Sequence, residues 1–113
     1  MIDGIGIDVV DIARFLESLE RTPGLREKLF TESERTLSSQ SLAARFAAKE
    51  ALYKALSPSH GLHWHDAEVI NQPNGKPEFL FRGEIADLID GAKVHLSLSH
   101  DAGIASAMVV IER

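Results

Sequence analysis

Residues 43–56, Ala43-Ala44-Arg45-Phe46-Ala47-Ala48-Lys49-Glu50-Ala51-Leu52-Tyr53-Lys54-Ala55-Leu56, decide the fold. Ala and Leu stand at the favourable end of the helix scale, and the stretch holds no Gly, Pro or β-branched run. Ser39 or Ser41 is expected to cap its start. Ser57-Pro58 closes it, because the residue before a proline avoids the α region. Leu42, Phe46, Tyr53 and Leu56 fall near one stripe, the expected core face. Glu50 and Lys54 are spaced i,i+4, so their side chains emerge together, and Arg45 and Lys49 repeat that spacing one turn earlier. By itself the Glu50/Lys54 pair reads as a surface ion pair worth about a few tenths of a kcal/mol. The rest of the chain supplies the reason to read it otherwise.

Upstream, Ile2 to Val10 reads as a strand in which Ile5, Ile7 and Val9 alternate with Gly4, Gly6, Asp8 and Val10. Asp8 follows two glycines on its face, so the surface beside it is bare. A ligand can approach closely there, or another backbone can pack against it. Asp11 is placed to cap a helix with Ile12, Phe15, Leu16 and Leu19 on its apolar side, and Thr22-Pro23-Gly24 breaks it. A short helix over 25–30, a further helical turn at Thr31–Glu34 and a polar linker at Ser38–Ser41 lead into the main helix.

Downstream, 57–66 is a loop holding His60, His63 and His65. Their spacing fits no common structural zinc pattern, and ordinary loop histidines are expected. Residues 67–71 and 78–81 read as strands joined by Pro73-Asn74-Gly75-Lys76-Pro77, a hairpin signal because Asn and Gly tolerate positive φ. Residues 83–91 read as a short helix or turn. Lys93 to Ser99 is a strand, His100-Asp101-Ala102-Gly103 a turn, and Ile104 to Ile111 an apolar central strand. The expected fold class is α+β: residues 1–113 as a single domain, with a small antiparallel sheet packed against the long helix.

The totals narrow the function. The chain has 113 residues, a formal net charge of −5 and no cysteine. An acidic chain is not built for non-specific nucleic-acid binding, and thiol chemistry and disulfides are excluded. No apolar run approaches the ~20 residues of a membrane span. No basic, apolar leader follows Met1, so a cytoplasmic soluble protein is expected.

Three fragments carry chemistry: Gly4-Ile5-Gly6-Ile7-Asp8, then Arg45 to Lys54, then Ser97-Leu98-Ser99-His100. In this order and spacing the chain resembles the holo-acyl-carrier-protein synthase family, the small trimeric 4'-phosphopantetheinyl transferases. Asn74-Gly75-Lys76-Pro77 and Val109-Val110-Ile111-Glu112 extend the resemblance over nearly the whole length. It implies transfer of phosphopantetheine from coenzyme A to a serine of an acyl carrier protein, releasing adenosine 3',5'-bisphosphate.

The resemblance also assigns roles. Asp8 and Glu50 match the family's Mg2+ ligands. Physically, magnesium is usually held by one or two carboxylates together with phosphate oxygens, and two carboxylates brought together repel unless a cation lies between them. Lys54 matches the lysine at the phosphates, where it can stabilise the departing bisphosphate. The acceptor serine needs a base: Glu50, directly or through a metal-bound water, with Asp8 second. Arg45 and His100 are implied at the coenzyme A phosphates, with Ser99 assisting. Asn74, Gly75, Lys76 and Pro77 are implied near the adenine, supplied by a neighbouring subunit, so a homotrimer with sites at its interfaces is expected.

Carrier proteins are acidic, and an acidic chain needs a local basic patch to meet one. Arg14 matches the family's docking arginine, and Arg21, Arg26 and Lys28 can extend the patch. Glu17 and Glu20 dilute it, and the alternative is a solvated helix face. The segment Gly61-Leu62-His63-Trp64-His65-Asp66 looks like the actinobacterial branch, which serves carrier domains of type I fatty acid synthases. Two other readings compete: a magnesium-dependent pyrophosphatase, and a non-catalytic carrier-binding subunit. The second would be marked by loss of Asp8, Glu50 or Lys54, and all three are present.

Overall fold

The computed structural model describes residues 1–58 and 61–113. Strand β1 (Ile2–Asp11) leads into α1 (Ile12–Arg21), α2 (Leu25–Leu29), α3 (Glu32–Arg35) and the long α4 (Ser39–Leu56). A 3-10 turn (Trp64–Asp66) precedes the hairpin β2 (Ala67–Asn71) and β3 (Pro77–Phe81). Helix α5 (Gly83–Ile89) then leads to β4 (Lys93–Asp101) and β5 (Ile104–Glu112). Two antiparallel sheets result, one ordered β1-β5-β4 and the other β2-β3. The architecture is the expected α+β one, with β5 central between the first and fourth strands.

The main helix starts earlier than its serines suggest. Ser38 is the cap, its side chain accepting from the Ser41 N–H, so the supposed linker 39–41 is the first turn. Ser57 closes the helix in the left-handed region with φ 46°, its N–H donating to the Tyr53 carbonyl.

The core stripe also differs. Of the expected stripe Leu42 is buried at 1%, but Phe46, Tyr53 and Leu56 are only half-buried, and alanines fill most of the buried face: Ala43, Ala47, Ala48 and Ala51 are fully buried. The reason is how closely β1 crosses α4. A Cβ on Gly4 would lie 2.2 Å from the Ala55 carbonyl oxygen, and one on Gly6 would lie 1.8 Å from that of Ala51. The glycine face therefore answers to a backbone, that of α4. Ile5, Ile7 and Val9 consequently point the other way. They are 59%, 61% and 62% exposed, and Met108 beside Ile7 is 47% exposed. The central strand is covered by this chain on one face only.

The β4–β5 turn is tighter than expected. Ala102 and Gly103 both have positive φ, 51° and 78°, the pattern that a two-residue hairpin demands. His100 and Asp101 thus belong to β4, paired with Ala105 and Ile104.

Behind α4, Lys49 and Glu34 form a buried ion pair at 2.7 Å, 2% and 1% exposed. Lys49 also donates to the carbonyls of Leu29 and Trp64 at 2.8 and 3.2 Å. Glu34 accepts from the N–H groups of Thr31 and Val69, each at 2.9 Å. One cluster joins α2, α3, α4, the 3-10 turn and β2.

Candidate active site

Strand and helix geometry bring Asp8 to Glu50. Two strand residues advance about 6.8 Å and four helical residues about 6 Å. Gly4 stands at Ala55 and Gly6 at Ala51. The next residue on that face, Asp8, therefore comes level with the helix turn that carries Glu50. Both carboxylates line one open cavity of about 370 Å3, together with Asp11, Arg14, Phe15 and Phe46.

The electrostatics agree with this placement. Burial raises the Glu50 acid above its ordinary value, the neighbouring Asp8 charge raises it further, and Lys54 opposes both. Lys54 does not close on Glu50 as the i,i+4 spacing suggests. Its ammonium reaches across to β1, 3.0 Å from Asp8 Oδ1 and 2.9 Å from the Ile7 carbonyl. The Asp8 carboxylate thus already holds a cation at its side. Among the described residues no cluster of three or more His, Asp or Glu side chains is placed to hold a metal. Two carboxylates facing an open cavity suit a hard divalent cation whose other ligands are phosphate oxygens and water.

The remaining expected residues divide. Arg14 lines the carboxylate cavity from α1, whose cap is Asp11 accepting the Arg14 N–H. Arg21 is exposed at the end of that helix and lines no part of the cavity. Arg45 is not brought to the carboxylates. It lies about 140° around α4 from Glu50, is only 6% exposed, and faces Glu34, with no hydrogen-bond partner at Nε among the described residues. Asn74, Gly75, Lys76 and Pro77 form the β2–β3 turn on the separate two-stranded sheet. Ser99 pairs with Ser106, itself beside Val9, on the exposed apolar face, and His100 is exposed on β4. Neither these two nor the turn residues line the carboxylate cavity of their own chain.

A second cavity, of about 540 Å3, opens on the other side of Glu50. It is lined by Lys28, Tyr53, Leu62, His63 and Trp64. Sequence reasoning placed Tyr53 in the core and His63 among ordinary loop histidines. A signal was available: Phe46, Glu50 and Tyr53 are spaced i, i+4, i+7, which sets a carboxylate inside an aromatic stripe. His60 lies outside the described residues.

A chain from Beutenbergia cavernae named holo-acyl-carrier-protein synthase is 58% identical over 116 residues, covering all of both chains. Another of that name from Leifsonia xyli is 59% identical, covering 100% of this chain and 98% of the other. The Helicobacter pylori holo-acyl-carrier-protein synthase, solved in complex with coenzyme A, superposes with a TM-score of 0.84 at 36% identity, covering 96% of this chain and 99% of that one. The model of the 4'-phosphopantetheinyl transferase superfamily matches residues 4–106, a span holding the glycine pair, both carboxylates and Lys54, and the chain belongs to that superfamily.

Proposed function

We propose that this chain transfers the 4'-phosphopantetheine group of coenzyme A to a serine of an apo acyl carrier protein, releasing adenosine 3',5'-bisphosphate. The observation that supports the reading is that Asp8 and Glu50 line one cleft while Lys54 is paired to Asp8. Asp8 and Glu50 would hold Mg2+, which when bound supplies positive charge to the diphosphate. The chain's own groups do the rest. Glu50, its acid raised by burial and by Asp8, is the first candidate to take the serine proton, with Asp8 second. The serine oxygen bonds to the phosphorus that carries pantetheine. The bond from that phosphorus to the bridging oxygen breaks, and that oxygen leaves on the adenosine bisphosphate. Lys54 leaves its Asp8 contact to neutralise the departing phosphate, since positioning and charge compensation dominate phosphoryl transfer.

The working unit is a homotrimer of 113-residue single domains. The uncovered stripe of Ile5, Ile7, Val9 and Met108 supports self-association, because a monomer gains nothing by exposing it. Assembly is also the way for Asn74–Pro77, Ser99 and His100 to reach a carboxylate cleft, that of a neighbour. Arg14 at the cavity rim, extended by Arg21, receives the acidic carrier, either a discrete protein or a carrier domain of a type I fatty acid synthase. The enzyme works in the cytoplasm. In support, the chain is cysteine-free and no helix among the described residues is long and apolar enough to cross a membrane.

Incubation with coenzyme A, Mg2+ and candidate apo carriers, read by intact mass, tests the activity. The carrier is expected to gain one phosphopantetheine. Steady coenzyme A cleavage without a carrier would favour a pyrophosphatase instead, and complex formation without any mass gain a non-catalytic subunit.

A further inference from the structure

The serine that accepts the transferred group has to enter the carboxylate cavity, and one wall of that cavity is α1, through Asp11, Arg14, Phe15 and Ser18. A carrier is a whole protein around that serine, so it rests on what α1 shows beside the opening. Helical geometry says what that is. Arg14 and Arg21 stand within about 20° of each other around the axis. Both are exposed, and together they form one basic stripe running away from the cavity.

Glu17 interrupts that stripe. It lies about 60° from Arg14 and about 40° from Arg21 around the helix. Its spacings to them, i,i+3 and i,i+4, are those at which opposite charges pair along a helix. Neither pair forms. Arg14 lines the cavity, and Arg21 turns to the Ser18 hydroxyl at 3.5 Å. Among the described residues the exposed Glu17 carboxylate has no ion-pair or hydrogen-bond partner. It gives α1 no salt bridge, and its charge faces whatever docks. Glu20 is also exposed but lies about 100° or more from both arginines, off the stripe.

We propose that Glu17 is a filter on the carrier: it admits one that sets a lysine or arginine among its acidic groups, opposite Glu17, and disfavours one that is acidic throughout. This rests on the transferase reading above. Arg14 and Arg21 attract carboxylates, and a carboxylate beside them repels the same groups. A carrier with a cation in that gap satisfies all three side chains. A uniformly acidic one satisfies the arginines and leaves two like charges facing each other as the surfaces dry. Specificity then comes from the partner that is repelled as much as from the one attracted.

The test is transfer kinetics read by intact mass, with coenzyme A and Mg2+ saturating. The probes are an apo acyl carrier protein that is acidic all around its serine, and variants of it with one of those acids changed to lysine. For the acidic carrier, Glu17→Gln is expected to lower KM about fivefold with kcat unchanged, while Glu20→Gln stays within about twofold of the unaltered chain. At least one lysine-bearing carrier should have a lower KM than its parent on the unaltered chain and lose that advantage on Glu17→Gln. An unchanged or higher KM in Glu17→Gln would overturn the proposal. So would equal gains in Glu17→Gln and Glu20→Gln, which would reflect net charge alone, and so would a panel in which no lysine helps. In each of those cases the unaltered chain still modifies the carrier, so the transferase reading stands while the filter is refuted. If the unaltered chain modifies no carrier, both fall.

Discussion

Glu50 keeps a charge that its surroundings resist. Burial comes first and Asp8 second in pushing its acid upward. Removing that charge is expected to separate stability from activity. Glu50→Gln should melt higher than the unaltered chain in a chelator, lose the gain that Mg2+ gives the unaltered chain, and transfer at least about a hundredfold more slowly. Calorimetry and carrier mass spectra check the two halves. A variant with near-normal rate would remove Glu50 from the mechanism. Glu68 shows the opposite balance. Burial pushes its acid up, but hydrogen bonds from Ser33, Thr31 and Arg82 outweigh that and draw it down to about 2 from 4.5. A carboxylate with a depressed folded value contributes stability that is present above the unfolded value and lost as pH falls toward the folded one. The loss therefore belongs between about pH 4.5 and 2. Melting curves across that range should fall more steeply for the unaltered chain than for Glu68→Gln.

At the scale of elements, the crossing of β1 over α4 sets the site. Gly6→Ala would drive a Cβ to 1.8 Å from the Ala51 carbonyl oxygen, so strand and helix must part. A loss of about 3 kcal/mol is expected in urea unfolding, with Asp8 moved off Glu50 and transfer lost as well. Gly24→Ala is the control. No atom lies within 4 Å of its Cβ, and only the positive φ of 83° resists it, at about 1 kcal/mol. The Lys49–Glu34 pair holds the other side of α4. Lys49→Met leaves a buried carboxylate without its cation and should cost about 3–5 kcal/mol. Replacing Glu34 as well does not restore the loss, because the N–H groups of Thr31 and Val69 lose their acceptor. Element types were legible because each carries its own local cause: Ala-rich sequence for α4, Asp11 as a cap, Asn74-Gly75 as a turn. The end of β4 was misread because His100-Asp101 looks like turn chemistry, whereas the left-handed pair Ala102-Gly103 makes the turn.

For the whole molecule, the uncovered apolar face of β1 and β5 is the feature with consequences. Ile7→Asp puts a charge in the middle of that face. Light scattering after size exclusion should then report a monomer in place of a trimer, with transfer lost although the fold survives. Shared sites make a sharper forecast. Glu50→Gln and Lys76→Ala chains, each inactive alone, should regain about a quarter of the normal rate when unfolded together and refolded as mixed trimers, since half the clefts keep Glu50 and half of those face an intact turn. No regain would place the whole site within one chain.

Family resemblance named the pair of carboxylates, whereas residue order alone determined the main helix, the strands except the end of β4, and the Asp11 cap, because propensity, capping and turn chemistry act within a few residues. It left open whether the glycine pair makes room for a ligand or for a backbone, and beside Leu42 it put Phe46, Tyr53 and Leu56 where alanines are the more deeply buried. Those matters rest on how closely two elements more than 40 residues apart approach, and only tertiary packing decides that distance. Packing also turned Lys54 from its helical neighbour toward Asp8, turned Arg45 away from the carboxylates, and opened the aromatic cavity beyond Glu50. Each depends on which face of α4 the sheet covers. Pattern names such a face only when large and small residues divide by side, and in an alanine-rich helix buried nearly all round they do not.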